Sequence, residues 1–485
     1  MATFYVDSVS GSDANTGLSF AQRWQTITKL NLQAIAGGDE VRLIEDSVFT
    51  DAGILFTAQN VSPTTAAYIR GWKRDDSGLC DTPSKYPIID LGNVAATIGI
   101  ALDNCGYFII ERIHVRKCGS YGIVVAATLN GNSAGVTIRN NTVEEIVGPA
   151  IADGIAVLST VTTDISGGAT GFRIHGNTVS NCFVDGISLN GPLGFEVDHN
   201  VIFDVNEVAA GSGDGITSHS TGGGHNIHDN TIYDCSDGIH VATNSTTPSK
   251  IYRNWVHDCL QCGINIQVNG SQNLGIWEVR NNVVSVPDLA STVGGIVFGE
   301  LNANGNSATL TVYNNTVEVL RTGKPAFFFR SFNDIIAAGS LVFTNNIATG
   351  VAGAIMIQYD NPAAAGGGFT SWTAGTNFYH LNAASSFVWD GAATVFSTWQ
   401  TNSAGDADSV AGTDPLLRGS LATNPRFARL KRASTAQNIG TSLAGTFTDD
   451  FVGGTRRSWN VGAMRYVAAS TRAFNAGAME MEFTQ

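Results

Sequence analysis

Between Tyr121 and Ala354 the chain writes one short phrase eight times, a polar or small residue followed by Gly-Ile or its equivalent and then alternating residues. The copies are Tyr121-Gly-Ile, Asp153-Gly-Ile, Asp185-Gly-Ile, Asp214-Gly-Ile, Asp237-Gly-Ile, Cys262-Gly-Ile, Gly294-Gly-Ile and Gly353-Ala-Ile. A second phrase, Asn-Thr-Val or a close variant, keeps step with it from Asn141, Asn177, Asn200, Asn230, Asn254, Asn282, Asn315 and Asn346. Successive copies of that Asn lie 23 to 36 residues apart, too short for a domain and right for one turn of a solenoid.

The period inside each phrase decides which solenoid. In Phe172-Arg-Ile-His-Gly-Asn-Thr-Val and Trp277-Glu-Val-Arg-Asn-Asn-Val-Val, apolar and polar residues alternate, a turn-forming residue intervenes, and a short β-branched run follows. Strands of consecutive turns then stack in parallel, about 4.8 Å apart. The repeated Asn is expected to form an inward ladder of amides bonded from turn to turn. Cys118, Cys182, Cys235 and Cys259 recur in one column and are expected as buried free thiols. Cys259-Leu-Gln-Cys262 has metal or redox spacing but no second such pair, and reads as packing plus a turn.

With these repeats the chain resembles the right-handed parallel β-helix proteins of the pectate-lyase-like superfamily, over roughly residues 1 to 360, and among them most of all phage tailspike and polysaccharide-depolymerase proteins. Phe4-Tyr-Val-Asp, the loop Gly11-Ser-Asp-Ala-Asn-Thr-Gly17 and Trp24-Gln-Thr-Ile-Thr-Lys-Leu look like the strand, loop and amphipathic helix that cap such solenoids. The resemblance implies an all-β fold: an N-terminal cap over residues 1–50, a parallel β-helix over 51–360, and a β-rich closing or oligomerisation segment over 361–485. It also implies a homotrimer attached to other tail proteins. The scaffold hosts hydrolases, lyases and binding proteins alike, so it leaves the chemistry open.

Composition narrows the partners. Of 485 residues only 14% are charged, and the net charge of −14 argues against nucleic acid or an anionic membrane as the main partner. No apolar run approaches the ~18 residues of a membrane span, so no membrane insertion is expected. The chain opens on Met1-Ala-Thr-Phe-Tyr, straight into structure, which favours a virion (phage tail) protein released by lysis over an exported one, with an extracellular enzyme as the other placement. The expected partner is a bacterial surface or other extracellular polysaccharide.

The chemistry is sought where the repeat stops being apolar. The residue after each Gly-Ile points outward, giving Val124, Ala156, Ser188, Thr217, His240, Asn265, Val297 and Met356 in order, and only the middle coils are polar. Two residues further come Leu158, Asn190, His219, Ala242 and Gln267. Beside them runs the column Asp153, Asp185, Asp214 and Asp237, whose charges about 4.8 Å apart would repel by about 3.5 kcal/mol at an effective dielectric of 20. Such a stack must be solvated, hold protons, bind a cation, or alternate in direction. Asp-Gly is also a common turn pair, with Asp accepting a local backbone bond and Gly taking positive φ.

Glycosidases need two carboxyls about 5 Å apart for retention or about 6.5–9.5 Å apart for inversion. Asp214 is the central candidate, flanked by Asp185 and Asp237, with His219 on its own strand, His240 on the next coil and Glu207 on the long preceding loop. Ser188, Asn190, Thr217, Asn265 and Gln267 are the candidate substrate contacts. A second outward face carries Arg139, His175, Asp198, His228, Tyr252, Arg280 and Tyr313, with Arg173 and Lys250 two residues earlier. It reads first as an ordinary solvated strand face, yet Lys250, Tyr252 and Arg280 would suit the carboxylate of an acidic sugar in a lyase. His225 and His228 have metal-like spacing without a third ligand, so no metal centre is expected; no cofactor is expected either, a structural or catalytic calcium ion being the one exception left open. The polygalacturonase-like and calcium-dependent lyase motifs are absent, so no catalytic residue carries over from those families. The expected activity is polysaccharide binding with glycosidic-bond hydrolysis by carboxylates; the alternatives are a secreted polysaccharide lyase and a non-catalytic structural or receptor-binding virion protein.

Overall fold

The computed structural model describes residues 1–59, 65–127, 135–148, 152–159, 172–190, 194–205, 213–219, 223–242, 247–267, 275–299, 307–330, 338–360, 371–380, 387–456 and 458–464. Its strands wind into a right-handed parallel β-helix. Each regular coil contributes three short strands. The strand before the ladder Asn joins a 13-stranded parallel sheet that begins at Thr3–Val6 and ends at Ser371–Gly375. The strand after the Asn (Thr178–Cys182, Val201–Val205, Thr231–Tyr233, Trp255–His257) and the Gly-Ile strand (Ile187–Asn190, Ile216–Ser218, Asp237–Ala242, Cys262–Gln267) form the other two faces.

Left-handed residues make the bends, two per coil as far as Asp258. One precedes each ladder Asn, as at Asn140 (φ 55°), His199 (58°), Asp229 (55°) and Asn281 (54°); the turn-forming residue seen in the sequence is therefore an αL corner. The second precedes the Cys column, at Lys117, Asn181, Asp234 and Asp258. The thiols there point inward, and all seven cysteines are free and buried.

The Asn ladder is continuous from Asn141 to Asn377. In each rung the backbone N–H and the Nδ2 of one Asn both donate to the Oδ1 of the next, as for Asn200 to Asn230 at 3.0 and 3.0 Å. The same Nδ2 also donates to a carbonyl one coil back, Ile174 O at 2.9 Å. Beyond the expected members, Asn377 adds a last rung and donates to the buried Asp406 at 2.8 Å. Asp406 also accepts from Tyr379 and Trp399, which closes the carboxy-terminal end of the core.

The glycine of Gly-Ile is there for a different reason from the one its Asp-Gly pairing suggests. Gly154, Gly186, Gly215 and Gly238 do not take positive φ. A Cβ on Gly215 would instead lie 2.4 Å from Ile232 Cγ2 and 2.6 Å from the Gly238 carbonyl, so close coil-to-coil approach excludes any side chain.

At the amino terminus Thr3–Val6 pairs with Glu40–Ile44 and starts the stack; the helix beside it is a single turn, Ile27–Leu30, capped by Thr26. At the other end parallel pairing runs past Asp360, where the sequence repeat fades, through Ser371–Gly375, Phe387–Trp389 and Val410–Ala411. The segment 416–464 then lies along the flank of the coils. Trp255 Nε1 donates to Leu421 O, Arg456 to Asn281, and Arg280 to Asp449.

Candidate functional site

Strand register puts the middle-coil residues side by side. Ala156, Ser188, Thr217, His240, Asn265 and Val297 are successive neighbours on the Gly-Ile face, and the column continues with Phe328 and Gln358. Met356 does not belong to it. The repeat of Gly353-Ala-Ile is shifted by two residues, so Met356 faces the core, and a whole coil at Pro325–Arg330 had no Gly-Ile to announce it. The polar members are also less open than an outward position implies: Ser188, Thr217 and Asn265 are all buried.

The aspartate column is a second ladder. Asp153 Oδ1 accepts the N–H of Asp185 at 3.3 Å, Asp185 that of Asp214 at 3.1 Å, Asp214 that of Asp237 at 3.1 Å, and Asp237 that of Cys262 at 2.9 Å. Of the four ways such a stack can survive, this one uses protons and donors. Burial pushes Asp153 up to about 6, and burial with the neighbouring Asp214 charge pushes Asp237 up to about 6. Asp185 is held well above the usual carboxylate range by burial and by the charges on Asp214 and Asp153.

Asp214 is the rung bonded to an imidazole. Its Oδ2 accepts from His240 Nδ1 at 2.8 Å and from Thr217 Oγ1 at 3.4 Å. Burial disfavours the His240 imidazolium, but the bond to Asp214 outweighs burial and raises the imidazole to about 9. His219 sits edge-on to His240, ring centroids 5.1 Å apart, and shares Thr217 Oγ1 at 3.4 Å. It is the exposed member of the cluster, and burial of its inner part together with the His240 charge lowers its affinity for a proton. A neutral imidazole at the surface thus stands against a charged one behind it.

Asp237 Oδ2 accepts from Asn265 Nδ2 at 2.7 Å, and Asn190 Nδ2 donates to Ser188 Oγ at 3.3 Å. Two atoms are left over: among the described residues His240 Nε2 and Asn265 Oδ1 are buried without hydrogen-bond partners. They are neighbours in one column, one able to donate and one to accept, which is the complement of a hydroxyl. Gln267 ends the Asn265 strand, and its side chain also favours the charged His240. Glu207 lies outside the described residues.

Lys250, Tyr252 and Arg280 sit on the 13-stranded sheet, away from this cluster. Arg280 is not free to hold a substrate carboxylate, because it is buried between Glu278 and Asp449 at 2.7 Å each and lies over the Tyr252 ring. Tyr252 stacks in turn on His228 at 4.5 Å. His225 and His228 do not converge: His225 is fully buried against Phe195, while His228 faces outward and pairs with Asp229. The same sheet holds a group of which Asp198, Arg173 and His175 stood in the sequence as members of polar columns, joined here by His199. His199 escaped notice because it occupies the αL corner, outside the alternating pattern.

The chain matches the family described as right handed beta helix region over residues 128–365. No curated protein matches it in sequence. Among solved structures it is similar to XylC in complex with xylose, at 10% identity over 96% of this chain and 98% of that chain with a TM-score of 0.52. It is also similar to pectate lyase Pel9A, at 16% identity over 96% of each chain with a TM-score of 0.49. The family match and the likeness to XylC agree with the right-handed parallel β-helix and leave the chemistry to the site.

Proposed function

We propose that the protein binds a polysaccharide across its middle coils and cleaves a glycosidic bond there, with His219 as the exposed acid–base group and the Asp214–His240 pair positioning and polarising it. The observation that carries this reading is the run of polar residues on the Gly-Ile face at Ser188, Thr217, His240 and Asn265, beside an exposed neutral imidazole. Hydrolysis by a free carboxylate pair fits the geometry less well. Both oxygens of Asp214 and both of Asp237 already accept hydrogen bonds, so neither is a ready nucleophile. An elimination mechanism is the second reading, favoured by the same neutral imidazole, since an imidazole can abstract a sugar ring proton only when it is itself unprotonated.

The test is a panel of bacterial and plant polysaccharides assayed for reducing-end release and for unsaturated-uronate absorbance. His219→Ala is expected to lower turnover by ~10²–10⁴ with the circular dichroism spectrum unchanged. Full activity in His219→Ala would remove this assignment. Glycan binding without turnover of any polysaccharide would make the protein a binding module, in which role a trimeric tail protein remains our reading of its assembly.

A further inference from the structure

On the 13-stranded sheet, away from the glycan face, Asp198 is fully buried and three cations or potential cations crowd one of its oxygens. Oδ2 receives Arg173 Nη2 at 2.9 Å, His175 Nδ1 at 2.7 Å and His199 Nδ1 at 2.8 Å, while Oδ1 receives Arg173 Nε at 2.9 Å. A carboxylate oxygen has two lone pairs, so three donors overfill it. Arg173 Nη2 also stands 3.4 Å from His175 Nδ1, a donor facing a donor if that imidazole bonds Asp198 through its own N–H. The side chains of Arg173, His175 and His199 are 43%, 31% and 57% exposed, so the cluster opens to solvent above a buried base. Burial opposes the charge on Asp198, but the bonds from Arg173, His175 and His199 outweigh it and hold the carboxyl well below its usual range.

We propose that His175 Nδ1, His199 Nδ1 and Asp198 Oδ2 bind a divalent transition-metal ion of the zinc class, with water completing the coordination. Two imidazoles and one carboxylate are a ligand set that such ions prefer, and three protein ligands leave a position open. The ligand atoms lie within 4.8 Å of one another. Ligands of a tetrahedral ion about 2.0–2.1 Å from the metal are about 3.3 Å apart, so the two imidazoles need to withdraw from Asp198 by about 0.6 Å, within the reach of exposed side chains. The ion takes the place of the Nδ1 proton on each ring, which moves to Nε2 of a neutral imidazole or leaves to solvent from a protonated one, and relieves the crowded oxygen. Arg173 keeps its bond to Oδ1 and orients the carboxylate from behind. Because His175 belongs to the strand Arg173–His175 and the other ligands to the next coil, the ion would staple two coils of the helix.

Isothermal titration of ZnCl2 into the chelator-treated, tag-free chain is expected to show one ion per chain with a dissociation constant in the micromolar range or below. Excess ZnCl2 should raise the melting temperature. His175→Gln and His199→Gln should each weaken binding at least tenfold and abolish the melting shift, and Co2+ should give the intense visible bands of a tetrahedral site in the wild type only. Asp198→Asn removes the counter-charge of Arg173 and can unfold the coil, so the imidazole variants carry the test. No saturable binding overturns the proposal. So does binding that both variants leave intact but His240→Gln abolishes, which would place the ion at the Asp214, Asp237 and His240 cluster instead.

Discussion

Two side-chain ladders run along this helix, opposite in direction and different in chemistry. In the asparagine ladder every side chain both gives and takes: Oδ1 accepts from the coil before, and Nδ2 donates to the coil after, so the column satisfies itself from Asn141 to Asn377. In the aspartate ladder the direction is reversed, each Oδ1 accepting the N–H of the coil after, and Oδ2 has no donor of its own kind and carries a charge unless protonated. The surplus oxygen recruits partners from the neighbouring column. Ser188 favours the ionised Asp153, His240 bonds Asp214, and Asn265 bonds Asp237. That accounts for the polar run on the Gly-Ile face beside the aspartates, and it makes the polar patch a structural consequence that also gathers titratable groups.

Breaking the self-sufficient ladder should cost most. Asn230→Leu leaves the N–H of Asn200 and one of the two hydrogens on its Nδ2 without an acceptor, and Val197 O without its amide donor, in a fully buried column. With each orphaned buried group worth about 1–3 kcal/mol, a loss of about 3–5 kcal/mol is expected from urea denaturation. A loss under about 1 kcal/mol would show that the amides are not what holds the coils in register.

The carboxyl ladder should show itself in pH. Asp153 and Asp237 have folded values raised to about 6, so their contribution is fully present below the unfolded value and is lost as pH rises through 6; Asp185 follows the same sign higher up. His240, raised to about 9, adds a loss at the alkaline end. Asp198 has the opposite sign, and its contribution disappears as pH falls below the usual carboxylate range. Stability should therefore peak in mild acid and fall by about 3 kcal/mol or more towards alkaline pH, as chemical unfolding at a series of pH values would measure. Asp185→Asn, which mimics the protonated side chain, should flatten the alkaline limb. A stability maximum above neutrality would sink this account of the column.

The solenoid was legible because its physics repeats: period-2 alternation, a recurring inward Asn and a recurring corner residue each state the same coil length. Legibility failed where a coil used other means to the same end. Pro325-Ala-Phe packs its alanine where Gly-Ile packs glycine, so that coil went unseen and Met356 was placed on the wrong face. For the site, face and register brought Asp214, His219 and His240 together correctly, since strand pairing alone determines them. What pairing cannot say is which oxygens are already taken. That turned the free carboxylates into hydrogen-bonded ladder rungs and removed Arg280 from the candidates for substrate binding.

The smallest expected effect tests whether the polar patch is more than a partner set for surplus oxygens. Thr217 Oγ1 is 3.4 Å from both Asp214 Oδ2 and His219 Nε2, long contacts that contribute little to folding. Thr217→Val keeps the β-branched shape on a strand and should cost about 1 kcal/mol or less. If His219 does chemistry, the lost hydroxyl frees its ring to rotate, and turnover should drop severalfold with KM unchanged and shift its pH dependence. His240 should hold its place through Asp214 regardless. Unchanged turnover and pH profile in Thr217→Val, with His219→Ala inactive, would mean that His240 alone orients the exposed imidazole. A stability loss of several kcal/mol would instead assign Thr217 to the ladder and leave the catalytic face smaller than the polar one.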